Sequence, residues 1–184
     1  LARMRLEAEM SVIDEEARRF MAADIDQLDA IIDKFMDYAR PGQTRTVPVD
    51  VGPLVDRVIA QVRDPNIVIT AKLAIDLRVH ADETELSRVF ANLFENARRY
   101  GRTPATGVTR VEVGYRRENA WVVITVRDHG QGVPPEKLHQ LTTPFYRGDV
   151  ARTHATGAGL GLAIVDKAVS RMSGQFELSN APDG

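Results

Sequence analysis

The sequence has no cysteine, so disulfide frameworks and thiolate metal sites are excluded. No run is long and apolar enough to span a bilayer, and no stretch reads as a secretory signal. Net charge is small: 24 Lys and Arg against 26 Asp and Glu leave −2 at pH 7, with a pI of about 6.1. That balance argues against nucleic acid held by general positive charge, although a local patch fits inside a balanced total. There is no internal repeat and no low-complexity segment. Glycine and proline are missing from the whole stretch before Pro41 and Gly42. What remains is ample for folding: 184 residues, 43% of them hydrophobic, suit one medium domain or two small ones.

The stretch before Pro41 is rich in Glu, Asp, Arg, Ala and Met. Its first residues, LARMRLEAEM, read as helix with no start signal ahead, so the chain is expected to begin inside an element of something longer. Leu1, Met4, Ala8, Ile13, Ala17 and Phe20 form an approximate helical stripe. Ile25, Leu28, Ile32, Phe35 and Ala39 then step by three, four, three and four, the spacing of a helix lying along a partner helix. Asp24 is the predicted N-cap of a second helix, or the point where one helix bends. Two helices alone bury little surface, so the hairpin is expected to dimerise into a four-helix bundle. The alternative is that both helices pack on the domain that follows.

ARPGQ is a stop signal and a linker. Beyond it, VPVD reads as a short strand and VGPLVDRVIAQV as a helix, with Pro53 tolerated in the first turn. NIVITAKL and IDLRVHA read as strands. DETELSRVFANLFENARRYG is a strong helix, with Asp82 as N-cap and Glu85 three residues on in a capping-box arrangement. TRVEVGYRR and AWVVITVRD form a hairpin turning at Glu118 and Asn119, a short helix follows PPEKLHQL, and QFELSN is a last strand. The order predicts an α+β sandwich with one sheet face covered.

Four clusters carry chemistry. Asn92, Glu95, Asn96 and Arg99 fall three or four apart and make one polar stripe on an apolar helix. Carboxamide oxygens are neutral ligands that suit a hard cation already balanced by phosphates; a solvated helix face is the plainer explanation. In VRDHGQGVP a strand ends at Asp128, which can accept a hydrogen bond from a base amine while Gly130 and Gly132 let backbone approach a flat ring; an ordinary turn explains it too. In TTPFYRGD, Phe145 and Tyr146 can cover a ligand and Arg147 can meet a phosphate, or Phe145 is a simple anchor.

The fourth cluster is GAGLGLAIVDKAVSRMSG. Glycine costs about 0.8–1 kcal/mol in a helix relative to alanine, yet Gly157, Gly159 and Gly161 precede an apolar helical run. Amides at a helix start bind phosphate, and glycines let it come close. The spacing is neither the G-x-G-x-x-G fingerprint nor a P-loop. Tight packing of the helix on a sheet also demands small residues.

The four in this order resemble the catalytic core of sensor histidine kinases, within the ATPase superfamily shared with gyrase, the mismatch-repair MutL proteins and the heat-shock chaperones. ANLFENARRYG resembles the N box, DHGQG the first G box, TPFYRG the F box and GAGLGLAIV the second G box. DIDQLDAIIDKFMDYARPG resembles the second dimerisation helix of the EnvZ type. The resemblance implies a helical hairpin over 1–42, dimeric as a four-helix bundle, and an α/β sandwich of the Bergerat ATPase type over 43–184, with a last strand missing. ATP and Mg²⁺ are the implied cofactors. By similarity Asn96 ligands Mg²⁺, Asn92 contacts the phosphates or the metal environment, and Arg99 lies near the phosphates. Tyr100 lines the nucleotide cleft, Asp128 binds the adenine amine, and Gly130 and Gly132 shape that pocket. Phe145 anchors a lid and Arg147 helps phosphoryl transfer. Gly157, Gly159 and Gly161, with Leu160 among them, form a hinge that approaches the triphosphate.

The family's acceptor histidine sits in a motif resembling H-D/E-x-R-T-P-L, of which Leu1 matches the last residue. None of His80, His129, His139 and His154 has that context, so this chain is expected to bind ATP without phosphorylating itself. The implied partners are a second copy through the N-terminal helices and an OmpR-like response regulator whose aspartate takes the phosphoryl group, with no nucleic acid. Membrane attachment would come only through other parts of a bacterial inner-membrane protein, this portion facing the cytoplasm. Two other classes compete: an ATP-independent dimerisation and response-regulator docking module, and a gyrase-like or MutL-like clamp. The intact Asn96, Asp128 and glycines argue against the first, and the helical hairpin and small size against the second.

Overall fold

The structure, a computed structural model, describes residues 1–11, 14–40, 44–103, 106–147 and 158–181. Helix α1 (Ala2–Ser11) is followed by α2 (Glu15–Ala39). The cap of α2 is Asp14, whose carboxylate accepts from the amides of Glu16 and Ala17, with Glu15 and Glu16 adding negative charge to the first turn. Asp24, expected to cap or bend a helix, is instead an interior residue of α2. The acidic start at 14–16 carries the stronger signal, because three carboxylates there face the positive helix end. No described helix is long and apolar enough to cross a membrane.

Strand β1 (Val47–Asp50) pairs antiparallel with β3 (Arg78–Ala81), Val47 opposite Ala81 and Asp50 opposite Arg78. Helix α3 (Val51–Ile59) leaves β1 directly, with the Val51 amide donating to the Leu77 carbonyl at 2.9 Å. Strand β2 (Ile67–Ala71) runs parallel to β4 (Thr109–Glu118), and β4 pairs antiparallel with β5 (Trp121–Asp128). The β4–β5 turn falls on Asn119 and Ala120, one residue later than expected, with Asn119 at φ 52°. Between β3 and β4 lies α4 (Glu83–Tyr100), and α5 (Gly161–Arg171) follows a 3₁₀ turn at Pro135–Gln140.

Alternation along β4 sets the layers. Val111 and Val113 are buried while Arg110 and Glu112 are exposed, so one sheet face is covered and the other is solvated. The covering layer is α3, through Val51, Leu54, Val55 and Val58, and α4, through Leu86, Phe90, Phe94 and Ala97. A second cluster joins α4 to α5 through Val89, Val165 and Ala168. Helix α4 is therefore held on two sides, which fixes its remaining face.

Asp82 caps α4, accepting from the amides of Thr84 and Glu85. The reciprocal half of the expected capping box is not made: the Glu85 side chain pairs with Arg88 at 2.8 Å and with Arg171 at 2.6 Å. Those two charge-assisted contacts outcompete a bond to a backbone amide. The expected last strand, QFELSN, carries no ladder in the described residues. It is tied instead by Asn180, whose side chain accepts from the Val133 amide at 3.0 Å and donates to the Val133 carbonyl at 2.6 Å. A strand needs a neighbour's backbone along its length, and a single side-chain clasp does not supply one.

Candidate functional site

Helix α4 carries the first part of the site. Asn92 is 4% exposed, and a buried carboxamide must be satisfied. Its Nδ2 donates to the Arg88 carbonyl at 2.9 Å, and its Oδ1 accepts from Lys34 Nζ at 3.0 Å. A Cβ placed on Gly161 would lie 3.7 Å from that same Oδ1, so the first residue of α5 abuts Asn92. Asn96, one helical turn on, is half-buried.

The expected single polar stripe splits in two. Glu95 and Arg98, with Val58, Gln61, Val62, Arg63, Ala91 and Phe94, line a cleft of about 380 Å³ between α3 and α4. Arg98 grips Glu95 with two bonds of 2.7 and 2.8 Å, and Arg99 Nε adds a third at 2.5 Å. The Arg98 bonds, with the Arg99 bond after them, pull the Glu95 pKa down to about 2 against the opposing effect of burial. Arg98 is pushed up by the same bonds and reaches Asp64 at 3.5 Å. Glu95 is thus a fixed anion committed to arginines, and Arg99 is one of its clamps.

The second part sits where α4 and β5 both end. Asp128, the last residue of β5, accepts the Gly130 amide on Oδ1 at 2.9 Å. A Cβ on Gly101 would fall 2.6 Å from the Asp128 Cβ, and one on Gly130 would fall 2.7 Å from the Tyr100 carbonyl and 3.0 Å from the Gly101 Cα. Only two glycines let these backbones approach so closely. Tyr100 is half-exposed beside them, and Gly132 has φ 69°. Gly101 was not among the sequence candidates. Its signal, a glycine directly after a helix ending ARRY, reads as a C-cap and nothing more.

The third part joins the loops around Phe145 and Gly159. The Phe145 amide donates to the Gly159 carbonyl at 2.9 Å. Gly159 has φ 66°, and a Cβ there would meet the Tyr146 carbonyl at 2.7 Å, so both conformation and space require glycine. Phe145 itself has φ 65°, a costly conformation for an aromatic residue, and its ring stacks on Phe35 of α2 with centroids 6.5 Å apart. Arg147 is half-buried. Leu160 is buried and caps α5, its carbonyl accepting from the Ile164 amide at 2.9 Å. Because α5 begins at Gly161, Gly159 lies ahead of it and carries no helical penalty. Gly157 and His154 lie outside the described residues.

The structure thus brings together Asn92 with Gly161, Phe145 with Gly159, and Asp128 with Gly130 and Gly101. Among the described residues no group of His, Asp or Glu is placed to hold a metal ion. A hard cation here would rest on a carboxamide oxygen and on oxygens that a ligand brings, and Asn96 is a residue of that chemistry, while the Asn92 oxygen already accepts from the Lys34 ammonium.

Residues 81–184, from the end of β3 through α4 and α5, match the family described as histidine kinase-, DNA gyrase B-, and HSP90-like ATPase. The chain belongs to this ATPase family. Relatives that it matches are named as histidine kinases. It is 32% identical over 173 residues to the signal transduction histidine-protein kinase/phosphatase MprB of Mycolicibacterium paratuberculosis, covering 92% of this chain and 32% of that protein. Among solved structures, the mycobacterial sensor histidine kinase MprB aligns at 27% identity with a TM-score of 0.59, over 70% of this chain and 80% of that one. The Acinetobacter baumannii histidine kinase AdeS shares the fold over 96% of this chain and 85% of its own, with a TM-score of 0.71 at 19% identity. The ATPase chain spans about a third of the length of the curated relatives it matches. The Bergerat-type fold expected from the sequence is the fold observed, with helices on one sheet face and an N-terminal helical arm.

Proposed function

We propose that this ATPase-family chain is the nucleotide-binding core of a sensor histidine kinase in a two-component system. The observation that carries this is the arrangement along α4. Its Gly101 end is pressed against the Asp128 carboxylate, and its Asn92 meets the start of α5 nine residues earlier. At 1.5 Å per residue the two lie roughly 13 Å apart, room for a base, a ribose and a row of phosphates. Asp128 accepts the adenine amine, and Gly101, Gly130 and Gly132 keep side chains out of the ring's way. Asn96 and Asn92 face the phosphate end, where Mg²⁺ supplies charge neutralisation. Amides near Gly159, Leu160 and Gly161 approach the phosphates, and Arg147 adds positive charge, while Arg99 is held by Glu95. Phosphoryl transfer needs such positioning more than a protein nucleophile on the ATP side.

The division that fits is a dimerisation arm over 1–42 and a catalytic unit over 43–184. Leu28 and Ile32 stay half-exposed on α2, as a face awaiting a second copy would. A response-regulator aspartate is the final acceptor, and the unit works on the cytoplasmic side of a membrane-anchored protein. None of the four histidines has the acceptor's sequence context, so this chain binds nucleotide without phosphorylating itself.

Calorimetric titration with a non-hydrolysable ATP analogue, with and without Mg²⁺, tests the site. Asp128→Ala is expected to weaken binding at least tenfold, the equivalent of about 1.4 kcal/mol. Asn96→Ala is expected to keep weak binding that no longer responds to Mg²⁺. A folded wild-type chain that binds no nucleotide would overturn the assignment.

A further inference from the structure

Helix α2 does more than pass by the site. Its last two turns are clamped onto α4 and α5. Lys167 Nζ donates to the Tyr38 carbonyl at 2.8 Å and lies 4.4 Å from the centre of the Tyr38 ring. Arg171, one turn further along α5, donates to the Arg40 carbonyl at 2.9 Å. Carbonyls at a helix C-terminus lack partners within the helix, and two cations spaced one turn apart satisfy them. Asp37 lies 3.7 Å from Arg88, and Phe35 stacks on Phe145. These contacts deliver the Lys34 ammonium to Asn92 at 3.0 Å.

That contact is chemically incomplete. A half-buried ammonium has three donors, and among the described residues its partner is one neutral carboxamide oxygen. A cation withdrawn from water is well compensated by an anion and poorly by an amide. Asn92 also marks the end of the site farthest from Asp128. With the base at Asp128, the group nearest Lys34 is the terminal phosphate.

We propose that Lys34 is a phosphate-binding residue of the nucleotide site, supplied by α2 from outside the ATPase-matched segment, and that it reads the terminal phosphate. This rests on the nucleotide assignment above. By linkage, whatever affinity Lys34 lends the triphosphate, the triphosphate returns as tighter docking of α2. The helical arm then senses whether the site holds a triphosphate or a diphosphate.

The test uses the 184-residue chain, its Lys34→Met and Lys34→Arg variants, and Mg²⁺ with either a non-hydrolysable ATP analogue or ADP. Lys34→Met is expected to weaken the triphosphate analogue by about five- to tenfold, at the lower end of ordinary site-to-site coupling, and to leave ADP within about twofold. Lys34→Arg is expected to recover most of the loss. Amide exchange in α2 should slow when the analogue binds wild type and stay unchanged in Lys34→Met. Equal weakening for both nucleotides would make Lys34 a structural residue and overturn the proposal. Unchanged or tighter binding of the analogue would also overturn it, making Lys34 a cation that blocks the site. If wild type binds neither nucleotide, the nucleotide assignment fails and this proposal with it. If wild type binds both and Lys34→Met changes neither, this proposal alone fails.

Discussion

Helices α2 and α4 are the two longest in the chain, and both begin at an aspartate that caps two amides. They differ in where their apolar faces go. Helix α4 buries Leu86, Val89, Phe90, Phe94 and Ala97 between the sheet layer and α5. Helix α2 buries Ile25 and leaves Phe20, Leu28, Ile32 and Met36 in solvent. The same helical periodicity thus serves two ends: α4 is built into this chain, and α2 offers a face that the chain does not cover. Burial of about 1.5–3 kcal/mol per large side chain separates the two.

Truncating one residue on each helix should separate them most. Phe90 is fully buried, with its ring centroid 6.0 Å from that of Phe94. Phe90→Ala removes its buried surface and leaves a cavity, and is expected to destabilise the chain by about 3–5 kcal/mol in urea unfolding. Ile32→Ala at low protein concentration is expected to change the same transition by less than about 0.5 kcal/mol. If α2 pairs with a second copy, Ile32→Asp shifts the sedimentation of concentrated protein towards monomer. A large loss from Ile32→Ala in dilute protein would show that this face is covered within the chain, and the contrast between the helices would collapse.

The caps sharpen the comparison at smaller scale. Asp82 accepts from Thr84 and Glu85 and also receives the Arg45 amide at 3.3 Å, so it joins α4 to the chain before β1. Asp82→Ala is expected to lower stability by about 1 kcal/mol. Asp14→Ala removes the same local bonds, at 2.8 and 3.2 Å, from a helix end packed on less. Its loss should be fraying of the first turn, visible as reduced ellipticity, with less than about 0.5 kcal/mol in the main transition. Equal losses at both caps would mean that α2 unfolds together with the rest.

These contrasts also show what the sequence could and could not reveal. Asp82, the run of α4, the hairpin and the glycine stretches were legible because each signal is local: a cap, a period, a turn. Asp128 and Gly130 were legible as candidates because a strand end and its glycines are neighbours in the chain. Gly101 was hidden, since its closeness to Asp128 exists only once α4 and β5 end side by side. Lys34 was hidden for the same reason, reaching Asn92 across 58 residues. Asp24 misled because the apolar stripe runs through 11–15 without a visible break, and periodicity outweighed the acidic cap signal at Asp14. Glu95 misled because helical spacing groups residues three and four apart without saying which neighbouring helix each one faces.

Glu95 gives the finest test of the difference between the helices. On α2, Arg19 and Glu15 form a one-turn pair at 2.6 Å with both side chains in solvent, and Glu15→Gln should change stability by less than about 0.5 kcal/mol. On α4, three arginine bonds depress the Glu95 pKa from 4.5 to about 2. A carboxyl held lower in the folded chain than in the unfolded one contributes stability that is fully present above pH 4.5 and is lost as pH falls through about 2. Because a third of the Glu95 side chain meets solvent, the contribution is set at about 1 kcal/mol, discounted for screening. Wild type and Glu95→Gln are therefore expected to differ by that amount in urea unfolding at pH 7 and to converge towards pH 2. A gap that stays constant with pH would mean that Glu95 acts through the packing of its stem in the α3–α4 cleft, and not through its charge.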